Sequence, residues 1–218
     1  MWSNSDAEGA IQIVGEDDFV CGYHGDEKVE TIDILIDGVP INTSSNFSVS
    51  FKNLTIVSKS RVYHCNTSAS ANTQAFKRTK VLKFDSNKVV ISNRFECLED
   101  LNINRASLAL FQCRKSQDNT IIINKFSNNN DLILYNVPTD DSGAMPEQSV
   151  NMTQATFYTN CGVVNVKITK GYDNPKYMGY ISNFNDQNRL KVYFDYIKGS
   201  TQVSVGDILQ AEFEISIT

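Results

Sequence analysis

The sequence predicts an all-β protein, an antiparallel β-sandwich or jelly-roll-like fold with at most one or two short helices. One observation is the alternation of the final segment. Leu209, Ala211, Phe213, Ile215 and Ile217 fall on one face and Gln210, Glu212, Glu214 and Ser216 on the other. A period of two is what a strand with one buried and one wet side requires. A second is the recurrence of short strand-like stretches separated by turn residues every ~8–12 positions, the spacing of sandwiches and barrels. A third is the abundance of Asn, including the run Asn128-Asn129-Asn130, because Asn disfavours helix interiors and suits turns.

Taken in order, Ile11–Val14 and Phe19–Tyr23 read as strands parted by Gly15-Glu16-Asp17-Asp18. Val29–Ile36 sets Ile32, Ile34 and Ile36 on one face and ends at Asp37-Gly38, a strong hairpin signal. Phe47, Val49 and Phe51 alternate with polar residues, which predicts a further strand. Asn53 then shifts the phase toward Leu54 and Ile56, as a bulge would, and Ser58–Cys65 is expected to pair back on it. The small polar run 66–74 reads as an exposed loop. Ala75–Phe84 and Lys88–Ser92 flank the tight turn Asp85-Ser86-Asn87.

Glu99–Ala109 is the one mildly helical candidate, limited by Asn102 and Asn104 to one or two turns. Ser107–Arg114, Thr120–Phe126 and Asp131–Asn136 read as strands. Residues 138–150 hold Pro138, Asp140-Asp141, Ser142-Gly143 and Pro146, and divide a β-rich part, 1–137, from a second, 151–218, unless the chain is one continuous domain. Beyond it, Thr153–Thr159, Gly162–Thr169, Tyr177–Ile181, Arg189–Ile197 and Thr201–Val205 precede the terminal strand. Turns are expected at 171–175, 183–186 and Lys198-Gly199-Ser200.

At 218 residues with 41% hydrophobic and 21% charged content, the chain can bury a core without staples. No apolar run approaches the roughly 20 residues of a membrane-spanning helix, so no membrane insertion is expected. The first residues have no basic start and no hydrophobic stretch, unlike a signal peptide. Cys21, Cys65, Cys97, Cys113 and Cys161 form no C-x-x-C pair, and buried free thiols are the expected state. A Cys21–Cys65 bridge belongs to the alternative of a secreted sandwich. The sequons at Asn42, Asn46, Asn53, Asn66 and Asn151 match what this composition yields by chance.

Charge is laid unevenly. Residues 1–40 hold ten acids against Lys28, and residues 52–94 hold nine bases against Asp85. The blocks can neutralise each other on neighbouring strands or meet across a subunit boundary, or the basic block can hold nucleic acid or a negatively charged surface. For the second case the residues expected at the boundary are Asp17, Asp18, Lys77, Arg78 and Lys80. Nucleic acid is disfavoured by the few aromatics of the basic block and by the acidic pI of about 5.1.

No catalytic signature occurs among the common hydrolase, metalloprotease or nucleotide-binding motifs. His64 and Cys65 are neighbours, and strand alternation would send them to opposite faces, against a Cys–His dyad. Hence no catalytic residue, cofactor or metal is expected. The aromatic–amide stretch of Tyr172, Tyr177, Tyr180, Phe184 and Asn185 is the place expected for a ligand, since amphipathic rings beside amides suit sugar or protein surfaces. These readings combine into a non-enzymatic structural subunit of a multi-copy assembly, a phage or viral virion component such as a capsid decoration, tail or fibre protein. Its partners would be copies of itself, other subunits and a host surface glycan or receptor. The alternative is an extracellular or cell-surface adhesin with a glycan- or protein-binding sandwich.

Overall fold

A computed structural model of the chain describes residues 9–21, 27–42, 48–65, 73–114, 116–117, 120–121, 123–127, 134–136, 149–150, 153–159, 162–171, 178–184 and 189–218. From 113 to 150 and from 178 to 189 it describes the backbone alone. Among the described residues every regular element is a strand. They are β1 (Ala10–Ile13), β2 (Glu27–Ile36), β3 (Val39–Pro40), β4 (Asn53–Tyr63), β5 (Gln74–Asp85), β6 (Lys88–Cys97), β7 (Leu101–Arg114), β8 (Ser116–Gln117) and β9 (Thr120–Ile121). There follow β10 (Ile123–Ser127), β11 (Leu134–Asn136), β12 (Ser149–Val150), β13 (Gln154–Thr159), β14 (Gly162–Lys170), β15 (Met178–Phe184), β16 (Arg189–Val203) and β17 (Ile208–Ile217).

The strands form two antiparallel sheets of unequal width. The smaller has the order β1-β7-β16-β15-β12, and the wider has the order β11-β10-β13-β14-β17-β6-β5-β4-β2-β3. β8 and β9 make a separate two-stranded ribbon. Strands from both sides of residues 138–150 pair in both sheets, β7 with β16 in one and β10 with β13 and β6 with β17 in the other; of that segment, only Ser149 and Val150 are among the described residues.

The core lies between the sheets in two adjoining clusters. One joins Ile91, Phe213 and Ile215 of the wide sheet to Phe111, Val192 and Phe194 of the small one. The other joins Phe76, Phe95 and Leu209 to Ile103, Leu108 and Ile11. β6 shows why these residues make a strand: Val89, Ile91, Asn93, Phe95 and Cys97 are all buried while the residues between them are not. β17 repeats the pattern through Leu209, Ala211, Phe213 and Ile215, and lies between β14 and β6.

The turns follow their residue chemistry. β2 and β3 are joined by Asp37 and Gly38, with φ of 49° and 84°, the double left-handed turn that suits a two-residue hairpin. β5 returns to β6 through Ser86 and Asn87, with Asp85 opposite Lys88.

Several expectations are corrected. Residues 48–52 form no strand, and Val49 and Phe51 are exposed. Asn53 opens β4 in regular register with Asp85; the irregularity comes at Val62/Tyr63, and 58–63 continue the same strand without pairing back. Glu99–Ala109 is not helical, since β7 begins at Leu101. Lys198-Gly199-Ser200 does not end a strand either; β16 runs through it with a register shift between Lys198 and Thr201.

Candidate functional site

The register of the wide sheet fixes which side chains share its inner face. Successive rows run Ser60–Arg78–Phe95–Leu209, then Ile32–Ser58–Lys80–Asn93–Ala211, then Ile34–Ile56–Leu82–Ile91–Phe213, then Ile36–Leu54–Phe84–Val89–Ile215. The row through Ser60 is buried throughout, but along the other three burial falls from β17 toward β2. Phe213 and Ile91 are fully buried, Leu82 and Phe84 are partly buried, Ile34 and Ile56 are half-buried, and Ile32 is 59% exposed. The small sheet therefore covers β17 and β6 and leaves open the inner face of β2 from Ile32 to Ile36, of β4 from Leu54 to Ser58 and of β5 from Lys80 to Phe84, while Ser60 and Val62 stay buried.

A polar row closes one end of this open floor. Arg78, only 3% exposed, donates from Nη1 to Glu27 Oε2 at 2.7 Å and from Nη2 to Asn93 Oδ1 at 2.8 Å. Its guanidinium carbon lies 5.2 Å from the centre of the Phe95 ring, within cation–π range. Ser60 Oγ donates to the other Glu27 oxygen. Asn93 Nδ2 donates to the Leu108 carbonyl at 2.9 Å, so the row is tied to the small sheet. Arg78 Nε has no hydrogen-bond partner among the described residues. A buried ion pair held this way is costly to break.

A second cluster sits at the far end of β4. His64 Nδ1 meets Glu16 and its Nε2 meets Glu99. Cys65 Sγ donates to the other Glu16 oxygen at 2.9 Å and to the Asp18 carbonyl at 3.3 Å. Burial works against a charged imidazole here, but the hydrogen bonds and charges of Glu99 and Glu16 outweigh it and raise the His64 pKa. Both residues follow the last residue of β4, so strand alternation does not part them, and one carboxylate reaches both. This overturns the expectation that His64 and Cys65 point apart. The cluster ties the turn after β1 to the β6–β7 connection.

A third buried polar group joins β7 and β16. Asp195, fully buried, accepts from Arg105 Nε at 2.9 Å and from Ser107 Oγ. Desolvation raises the Asp195 pKa against the opposing pull of Arg105 and Ser107. The Arg105 guanidinium lies over the rings of Tyr193 and Phe19 at 5.3 and 5.9 Å. Among the described residues no group of His, Cys, Asp or Glu is arranged to hold a metal ion. Cys21 and Cys65 are not bridged to each other, and Cys97 is also outside any disulfide.

The residues singled out from sequence are scattered. Lys77 lies on the outer face of β5, whereas Arg78 and Lys80 fall on the inner face, Arg78 deep in it. Asp17 and Asp18 are exposed in the turn after β1, where Asp18 Oδ1 accepts from the Phe19 amide at 2.7 Å. Tyr180 and Phe184 lie on β15, opposite Tyr193 and Arg189. Tyr172, Tyr177 and Asn185 lie outside the described residues. Glu27, Ser60 and Asn93 were not singled out. The signal for Asn93 was its phase, shared with Ile91, Phe95 and Cys97; Arg78 likewise shares the phase of Phe76, Leu82 and Phe84.

No family model and no curated protein matches the chain. Among solved structures it resembles a putative aldose 1-epimerase from Escherichia coli K12 (9% identity, 99% of this chain, 82% of that one, TM-score 0.43). It also resembles a galactose mutarotase-like protein from Clostridium acetobutylicum (10% identity, 78% and 64%, TM-score 0.41). A third is a β-arabinopyranosidase, with 11% identity, 97% and 34% coverage and a TM-score of 0.45. The likeness is one of β-rich sandwich architecture, as the alternation predicts. It corrects the reading of the chain as a virion subunit, whether capsid, tail or fibre: the neighbours are mutarotase-like and glycosidase proteins, not virion components.

Proposed function

We propose that the chain binds carbohydrate on the open inner face of β2, β4 and β5, without transforming it. One observation carries this reading: an aliphatic floor meets a fixed polar row on a single sheet face. Ile34, Ile56 and Leu82 offer an apolar surface, Ser58 and Lys80 stand beside it, and Glu27, 13% exposed, closes one end on the buried Arg78. A sugar ring is amphipathic in the same way, with C–H faces and a rim of hydroxyls. Glu27, held by Arg78 and Ser60, keeps its geometry, so a hydroxyl meets a preorganised acceptor.

Binding without turnover rests on Glu27 being the one carboxyl, with no imidazole, among the described inner-face residues of β2, β4 and β5. Chemistry on a sugar needs a proton donor and acceptor at the ligand. The described carboxyl and imidazole groups with raised pKa, Asp195 and His64, lie on β16 and at the end of β4. From Ser58 to His64 is six residues, about 20 Å of extended strand.

Calorimetric titration of the full chain with neutral oligosaccharides tests the reading. The wild type is expected to bind at least one. Ser58→Trp, which covers the floor, is expected to weaken that binding by about tenfold or more, roughly 1.4 kcal/mol, with an unchanged melting temperature. No binding by the wild type, or equal binding by a folded Ser58→Trp, overturns it.

A further inference from the structure

The opposite face of the same strands carries a different pattern. One row across β2, β4, β5 and β6 reads Lys28–Arg61–Lys77–Glu96, and the next reads Thr31–Lys59–Thr79–Arg94. Lys28 stands directly opposite Arg61, and Arg61 directly opposite Lys77. Like charges placed opposite each other across strands destabilise a sheet; Glu30 offsets Arg61 in the middle of the row, and an anion from outside would offset Lys28 and Lys77 on either side. Lys28 and Lys59 are exposed; Arg61, Lys77 and Arg94 are half-buried. Two carboxylates on this face are already engaged, Glu30 with Arg61 at 3.0 Å and Glu96 with Arg94 at 3.3 Å. Five cations stand against two carboxylates here, and Lys83 and Lys88 balance Asp33 and Asp85 farther along the same face, so it stays positive on a chain whose net charge is −5.

We infer that the outer face of β2, β4, β5 and β6 binds an anionic polysaccharide, through Lys28, Lys59, Arg61, Lys77 and Arg94. The charge spacing selects this class of polyanion. Neighbouring strands lie about 4.8 Å apart; with Arg61 between them engaged by Glu30, Lys28 and Lys77 stand about 10 Å from each other. A nucleic-acid strand presents a phosphate every ~3.4 Å and rewards a denser cationic track. A polysaccharide charged once per disaccharide is sparse, as this face is. Thr31 and Thr79, set between the cations, supply hydroxyls for the uncharged sugar oxygens, and no aromatic ring stands in either row to stack a base. The acidity of the rest of the chain repels a dense polyphosphate further.

This site and the neutral-sugar floor lie on opposite faces and fail independently. The full chain is titrated with heparin, polygalacturonate, dextran and an oligo-dT strand, at low and at physiological salt. Binding to heparin or polygalacturonate, weakening as salt rises, is expected; which of the two binds separates sulfate from carboxylate recognition. Lys28→Glu/Lys59→Glu/Lys77→Glu should lose about tenfold or more of that affinity, and the milder Lys28→Gln/Lys59→Gln/Lys77→Gln should lose a smaller share, both at wild-type melting temperature. Ser58→Trp, on the other face, should leave it unchanged. The inference is overturned if neither anionic polymer binds, if the folded triple variants bind like the wild type, if Ser58→Trp also abolishes binding, or if oligo-dT binds as tightly as the polysaccharide.

Discussion

Glu27 lies 13% exposed and Arg78 3% exposed, so neither charge has water enough to stand alone. Removing one partner of such a pair strands the other, at about 3–5 kcal/mol. Glu27→Ala is therefore expected to lower stability by about 3 kcal/mol in urea unfolding, while Glu27→Gln/Arg78→Met, which removes both charges, recovers most of the loss. Equal losses in the two variants would show that the pair is not what holds the row. His64 gives a prediction with a sign. Its folded pKa is raised, so its contribution is complete below its ordinary value of 6.5 and is lost as pH rises through the folded value. The urea midpoint should fall between pH 6 and pH 8, and His64→Gln should flatten that fall. The thiols separate by environment: burial pushes the Cys97 thiol up to about 11, aided by the charge of Asp207, while Cys65 is half-buried. Iodoacetamide at pH 8, followed by peptide mass mapping, should label Cys65 before Cys21 and Cys97.

At the scale of the element, what was legible depended on whether a strand kept its period. β5, β6 and β17 alternate without interruption over their paired length, and the sequence reads there as strand with the right inward face. β7 does not. Its core-facing residues run Ile103, Ala106, Leu108, then Ala109 and Phe111, because the ladder to β16 shifts at Phe194/Asp195, Asp195/Ile197 and Lys198/Thr201. A spacing of three between Ile103 and Ala106 looks helical, which is why Glu99–Ala109 suggests a helix and forms a strand. Bulges also hide function: Asp195 sits between two of these shifts, and no sequence pattern marks it. Arg78 and Asn93 were readable from phase alone, but their partner Glu27 comes from a strand 51 residues away from Arg78, which only the fold brings close. Glycine positions give a sharp contrast. Gly171, at φ of +91°, follows β14, and an added Cβ would meet the Gln210 carbonyl of β17 at 2.1 Å; at Gly38 nothing lies within 4 Å. Gly38→Ala should cost about 1 kcal/mol for its left-handed backbone, whereas Gly171→Ala must push β17 away from β14 and should cost several times as much, read as the difference in melting temperature.

For the whole molecule, the order of strands bears on how the chain folds. β17 forms its ladders with β6 on one side and β14 on the other, and β16 pairs along twelve positions with β7. The larger part of one core cluster, including Phe157, Val166, Leu190, Val192, Phe194, Phe213 and Ile215, comes from residues after 150, while Val89, Ile91, Ala109 and Phe111 come from before it. A fragment ending at 137 would expose the inward rows of β6 and β7 and leave both strands with unpaired edges, which invites association between chains. We expect one cooperative transition for the full chain, with far-ultraviolet circular dichroism and tyrosine fluorescence giving coincident urea midpoints. Residues 1–137 alone should be aggregated or lack a cooperative transition, and mixing them with residues 151–218 should restore one. A fragment 1–137 that melts cooperatively as a monomer would show instead that the wide sheet is complete without β14 and β17, and that the second part of the chain docks onto a finished domain.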